Sequence, residues 1–176
     1  MAEFSPFPLA PGCAVALDER WQAGSLRSVS GRAPAQVLRE ITGLAPPATL
    51  AACASPDDRW RLAWRSPTET LCLASDQAAF AALAVRLAGL SEVCLIDLSC
   101  ALRVLRVTGE SEELLCRLGG SEGVPAPGQA RRSRMADLAV LAIAVSVQET
   151  LLVVDRAYLP HLAAWVRATL ADLACA

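Results

Sequence analysis

The stretch SVQETLLVVD, Ser146–Asp155, repeats in outline what the chain spells eighty residues earlier as SPTETLCLASD, Ser66–Asp76. Each copy carries S-x-x-E-T-L, then an apolar run, then an Asp ahead of a helix-like pattern. Aligned on the motif, Leu71 falls on Leu151 and Leu73 on Val153. The strand pattern before each copy and the helix pattern after it align as well. A duplicated unit of this kind predicts an α+β domain of two similar βαβ-type halves that pair their sheets and keep helices outside.

Working outward, WRLAWRS and ETLCLAS read as two strands around Pro67, a hairpin. Ser75 is placed to cap the following helix, whose apolar stripe is Phe80, Leu83, Ala84 and Leu87. Upstream, SLRSV alternates like a strand. APAQVLREITG reads as a short helix with Pro34 early and Gly43 just past its end. TLAACAS is a strand closed by the turn residues SPDD. In the second half VCLIDLS and ALRVLRVTG are strand-like, and GESEELLCRLGG is a helix with acids in its first turn and a Gly-Gly stop. SEGVPAPGQARRSR reads as a loop, LAVLAIAVS and TLLVV as strands, and the last helix presents Leu159, Leu162, Trp165, Val166, Leu170 and Leu173 on one face. Asp155 is expected to start that helix as its cap. Residues 1–25, with three prolines in the first eleven, read as a Pro-rich arm. Residues 26–176 then form one domain with halves of about 26–90 and 91–176.

Composition narrows function. The chain has 176 residues, 54% apolar and 19% charged, more apolar than the usual figure of about 45–50%. Up to Leu90 it has 8 Arg against 8 acids, and after it 8 Arg against 10. Neither half is a basic module, so nucleic acid is not the expected partner. All sixteen cations are Arg. Schiff-base, P-loop and Ser/Lys chemistry therefore have no lysine to use. Phosphate, dinucleotide, hydrolase-elbow and metalloprotease motifs are absent from the sequence. The seven cysteines contain no C-x-x-C, and a single histidine, His161, accompanies them, so no zinc site is expected. Most of the thiols read as buried core residues in a reducing compartment. The longest apolar run, Leu138–Val147, is about half of the roughly 20 residues a membrane span needs, and the N-terminus lacks the basic and apolar regions of a signal peptide. A cytoplasmic protein with no membrane partner is expected.

No residue is assigned a catalytic role. His161 sits early in the last helix, away from any nucleophile. Asp97, inside CLIDLSC, is flanked by apolar residues and must be hydrogen-bonded or shifted in pKa. It is either a proton acceptor or ligand anchor, or a strand-end Asp bonding local amides. Arg131, Arg132 and Arg134 form a cluster able to grip a carboxylate, a phosphate or an acidic partner. Trp60 and Trp64, on one side of a strand, read as core or interface anchors.

These residues also carry a resemblance. RSRMADLAVLAIAVSVQETLLVVDRAYLPHLAAWV looks like the C-terminal part of the gamma subunit of heterotetrameric sarcosine oxidase. Arg132–Ala136 are similar to that family's R-T-R-L-A start, and Asp155–Tyr158 to its D-R-S-Y-like turn. Asp97, Leu98 and Ser99 resemble its D-x-S step, and Val107, Thr108 and Gly109 its V-x-G turn. GLAPPATLAA and WRLAWRSPTETLCLAS resemble its L-P-x-x-P stretch and tryptophan-containing strand. The family is related to the folate-binding domain of aminomethyltransferases such as the glycine-cleavage T protein, and the resemblance implies that fold. It further implies larger partner subunits that hold flavins, NAD and tetrahydrofolate and oxidise sarcosine. Asp97 and Asp137 are the candidate folate carboxylates. Where T proteins carry G-G-I-x-D-D this chain has MADLAVLAI, with Asp137 the sole acid. The K-G-C-Y-x-G-Q motif of the related iron-sulfur assembly factors is reduced to Gly128 and Gln129, and D-x-S-H ends in Cys100. A non-catalytic gamma-type subunit is therefore the expected function. A stand-alone folate-binding or aminomethyl-transfer protein is the alternative.

Overall fold

The computed structural model describes residue 7, residues 12–28 and residues 32–175. In chain order the strands and helices are β1 (Cys13–Leu17), β2 (Gln22–Ser28), α1 (Arg32–Thr42), β3 (Ala52–Ala54), β4 (Trp60–Ser66), β5 (Glu69–Ala74), α2 (Gln77–Ala88), β6 (Val93–Asp97), β7 (Leu102–Gly109), α3 (Glu112–Gly119), β8 (Ala130–Met135), β9 (Leu138–Ser146), β10 (Glu149–Asp155) and α4 (Leu159–Ala174).

The repeated S-x-x-E-T-L is a hairpin. Ser66 pairs with Glu69 and Ser146 with Glu149, so each copy closes a two-residue turn and begins the returning strand. In both hairpins the register shifts just beyond the turn, which leaves Arg65 and Val145 as equivalent extra residues of a β-bulge. From there Leu71 and Leu151 are carried to equivalent places in the core.

All the strand pairs are antiparallel, in two five-stranded sheets ordered β3-β4-β5-β2-β6 and β1-β7-β10-β9-β8. The second order is the first reversed if β1 takes the place of β6. Each half lends its first strand to the sheet of the other. Equivalent bonds hold the loaned strands: Asp18 N donates to Val104 O and Leu98 N to Ala23 O, both at 2.8 Å. At the opposite edges the sheets are stitched by backbone. Ala52 N donates to Gly128 O at 2.8 Å and Ala130 N to Leu50 O at 2.9 Å, around the bridge between Ala51 and Gln129. These are symmetry mates bonding one another across the pseudo-two-fold axis, and both Leu50 (φ 60) and Gly128 (φ 77) are left-handed to make the turn.

The layers are helix, sheet, sheet, helix. Leu71, Leu73, Leu141, Ile143, Leu151 and Val153 fill the space between the sheets with Ala63, Val104 and Trp21. Leu38, Leu62, Phe80, Leu83 and Leu87 seal α1 and α2 to one sheet. Leu105, Leu114, Leu115, Leu162, Val166 and Leu170 seal α3 and α4 to the other. Each fully buried leucine contributes about 1.5–3 kcal/mol relative to exposure.

Four expectations are corrected. Part of the N-terminal arm is strand: β1 and the start of β2 lie within residues 1–25, because their Cys13, Val15 and Ala23 are buried by register with β7 and β5. Residues 1–6 and 8–11 lie outside the described part. The first half accordingly begins at β1 and not at 26, while the second begins with β6 at Val93, next to the expected 91. The Arg-rich end of the expected loop is β8, an edge strand whose apolar anchors are Ala130 and Met135 alone, too few to announce a period of two. Trp165 is 49% exposed, since α4 buries Ala163 and Thr169 on the side facing the sheet.

The fourth correction concerns caps. Asp76, not Ser75, caps α2, its carboxylate accepting from Ala78 N at 2.8 Å and Ala79 N at 3.2 Å. Asp155 makes no side-chain cap bond, because a 3-10 turn, Arg156–Tyr158, intervenes before α4. Asp76→Ala is therefore expected to lower the melting temperature, and Asp155→Ala to leave it nearly unchanged. The bonds from Ala79 N, Arg59 and Ala78 N hold the Asp76 carboxyl below its ordinary range. A depressed carboxyl stabilises the fold above the unfolded pKa, about 3.9 for Asp, and that contribution disappears as pH falls through the folded value. Thermal melts from pH 7 to 2 check both points: the gap between wild type and Asp76→Ala should close in acid.

Candidate functional site

The sequence candidates do not converge. Asp97, at the end of β6, is exposed, and its carboxylate accepts from Ser99 N at 2.8 Å, the local backbone role. Asp137 occupies the left-handed turn Ala136–Asp137 (φ 49 and 63) between β8 and β9, exposed and ion-paired with Arg134 at 3.2 Å. The two acids stand on different sheets. Neither lines one of the clefts described here.

The arginine cluster is divided by the pleat, since successive residues of a strand face opposite ways. Arg131 points to the helix side, donating to Glu122 O at 3.0 Å. Arg132 points between the sheets, as does Ala130. Arg134 turns back to Asp137. His161 is an exposed helix residue 3.1 Å from Ala136 O, bracing the β8–β9 turn. Trp60 is buried in the core against the helices, and Trp64 is half-buried. The Gly128–Gln129 pair is the joint on the pseudo-axis, with the Gln129 amide oxygen accepting from Ala126 N at 3.3 Å.

The cysteines differ from expectation: Cys13 and Cys72 are buried, whereas Cys94, Cys100 and Cys175 are exposed, Cys94 on the edge strand β6, Cys100 in the turn that follows it and Cys175 past α4. Burial, with Cys53 close by, pushes the Cys72 thiol up to about 12, which leaves it protonated and inert. Among the described residues no group of three or more His, Cys, Asp or Glu could hold a metal ion.

A second polar locus, unread in the sequence, lies at one mouth of the space between the sheets. Arg65 from the β4 bulge, Arg132 from β8 and Asp155 from the end of β10 ring a narrow cleft of about 40 Å³ lined also by the buried Leu71, Leu102, Leu141 and Val153 and by the exposed Ala139. Glu69 supports it, its Oε1 accepting from Arg65 Nη1 at 2.8 Å and from the buried Ser25 hydroxyl. The sequence singled out Arg132 within its cluster, and the hint that Asp155 shares its cleft was parity: Asp155 follows Glu149, Leu151 and Val153 on the inward face of β10.

At the two-fold-related mouth the positions of Arg65, Arg132 and Asp155 are taken by Val145, Ala54 and Ser75, as the strand registers show. There Trp21, in the place of Leu102, fills the space. Its Nε1 donates to Asp18 at 3.0 Å, and the Arg20 guanidinium stacks 4.4 Å from its ring. Arg61 in that mouth is buried and paired with Asp58. One mouth is plugged and the other is open.

A wider groove of about 820 Å³ runs along the first turn of α3, the 124–127 loop and the β9–β10 turn, with Glu110, Glu112 and Glu113 on one wall and Val124, Pro125 and Val147 on the other. Among the described residues no helix is long and apolar enough to cross a membrane.

No protein-family model and no curated protein matches the sequence. Solved structures do match. A chain of the heterotetrameric sarcosine oxidase from Corynebacterium sp. U-96 superposes over 97% of this chain and 90% of its own, at 20% identity and a TM-score of 0.82. The glycine cleavage system aminomethyltransferase T from Bartonella henselae matches 88% of this chain at 13% identity and a TM-score of 0.61, but the match spans only 45% of the transferase. The duplicated, strand-exchanged α+β architecture described here is thus the fold shared by a sarcosine oxidase chain and part of an aminomethyltransferase, as the sequence motifs implied.

Proposed function

We propose that this chain is a non-catalytic, gamma-type subunit of a heterotetrameric sarcosine oxidase, whose larger flavin-containing subunits carry out oxidative demethylation of sarcosine to glycine in the cytoplasm. The observation that carries the reading is the extent of the fold match: it runs nearly end to end over both this chain and the oxidase chain, whereas it covers less than half of the transferase. The outer helices supply surface for such packing. Val85 on α2 is 74% exposed and Trp165 on α4 49% exposed, each among exposed alanines. Apolar side chains this open gain by being covered.

In this reading the flavins and NAD belong to the partners. Tetrahydrofolate does not fit the acids this chain offers, since Asp97 is engaged by its own loop and Asp137 by Arg134, on separate sheets.

Purification of the tagged chain from its native host is expected to bring down flavin-containing polypeptides in fixed stoichiometry, with sarcosine-dependent oxidase activity. A chain that elutes alone, without flavin, overturns the proposal. Titration of the isolated chain with tetrahydrofolate is expected to show no saturation at millimolar ligand. Saturable binding there would favour the folate-binding alternative.

A further inference from the structure

The open mouth between the sheets holds charges that the fold does not require. The same backbone, repeated about the pseudo-axis, is built at the other mouth with Val145, Ala54 and Ser75 in the three positions and an indole in the gap. Here Leu102 stands in place of Trp21 and leaves a cleft of about 40 Å³. The space is large enough for more than a single water and suits one small polar group, with the rest of the ligand in the opening.

The charges specify its chemistry. Two guanidiniums, from Arg65 and Arg132, offer planar donor sets that match a carboxylate. Asp155 offers an acceptor for a cationic nitrogen. Glu69 balances Arg65 at 2.8 Å, so the four groups sum to zero. A neutral set of this kind accommodates a ligand that is itself neutral overall but bears both signs. A simple anion would leave an uncompensated charge beside Asp155. The walls Leu71, Leu141 and Val153 exclude water on one side and strengthen these interactions relative to the open surface.

We infer that this cleft binds a small α-amino acid as its zwitterion, the carboxylate held between Arg65 and Arg132 and the ammonium against Asp155. The site is independent of the proposed subunit role, which requires no ligand on this chain.

The test uses the full chain with glycine and acetate as probes, followed by NMR shift titration. Glycine is expected to saturate in the millimolar range with shifts at residues 65, 132 and 155, and acetate to bind about 10-fold more weakly. Arg132→Gln, an exposed residue of an edge strand, should weaken glycine by about 10-fold, a factor that corresponds to one charged hydrogen bond, with the melting temperature retained. Asp155→Asn should weaken glycine but tighten acetate, reversing the preference. Should Arg132→Gln fail to fold, the Asp155→Asn reversal decides. Absence of saturation by glycine, or glycine binding unaffected by either substitution, overturns the inference. So does equal binding of the two probes in the wild type.

Discussion

Gly109→Ala is expected to detach the first strand from its sheet and to cost about 2–6 kcal/mol, as the sum of backbone strain and overpacking. Gly109 ends β7 at φ +90, and a Cβ built there would sit 1.8 Å from Gly12 O and 2.9 Å from Gly12 C. Both obstacles are backbone, so no side-chain rotation relieves them. The chain at Gly12 must move, and with it the bond from Glu110 N to Gly12 O at 2.7 Å that anchors the start of β1. Chemical denaturation measures the cost. The location is read by thiol labelling: Cys13, 5% exposed and paired in register with Gly109, should become reactive in the variant while Cys72 stays protected. Gly43→Ala is the control. It carries the same sign of φ, +72, with nothing within 4 Å of the new Cβ, and should cost only the left-handed strain of about 1–2 kcal/mol. Equal costs for the two substitutions would show that the approach of Gly12 does not constrain β7.

Leu151→Ala and Leu71→Ala should each cost about 2–5 kcal/mol, the range for deleting a buried leucine that leaves a partly collapsed cavity. The two residues occupy equivalent places after the repeated turn, at 0% and 1% exposure between the sheets. Because both sheets contribute to this layer, loss of either side chain should lower the stability of the whole molecule in one cooperative transition, without melting one half first. Val147→Ala, at the tip of the same hairpin and 77% exposed, should stay within about 0.5 kcal/mol. Two separated unfolding transitions in Leu151→Ala would contradict the exchange of β1 and β6, which ties the halves together.

The exchange itself shows why some of the fold was legible and some was not. S-x-x-E-T-L carries local information: a two-residue turn, a returning strand and alternating burial, all fixed within ten residues. The helices carry it too, in their stripes and in Gly43. Residues 13–25 looked like an arm because β1, CAVAL, is apolar at every position and displays no period of two, and its pairing partner β7 lies about ninety residues away in sequence. β8 looked like a loop because an edge strand rich in Arg has no inward period to display. The thiols at 94 and 100 looked buried because neighbouring leucines and isoleucines suggest a core, while an edge strand past the sheet overlap leaves even Ile96 39% exposed.

For the candidate residues the division is the same. Sequence could place Arg132 beside Arg131 and Arg134, but the pleat sends neighbours to opposite faces, so adjacency in the chain became separation in space. It could read Asp155 as a helix cap, the role its repeat partner Asp76 plays, but a single-residue offset between the two copies and a 3-10 turn leave Asp155 on the inward face of β10. Sequence by itself determined the duplication, the fold class and the absence of lysine chemistry, because periodicity and composition are local properties. Only the tertiary structure decided that the halves trade strands, that Asp97 and Asp137 never meet, and that Arg65, Arg132 and Asp155 do, because each of these depends on which strands pair across the pseudo-two-fold axis.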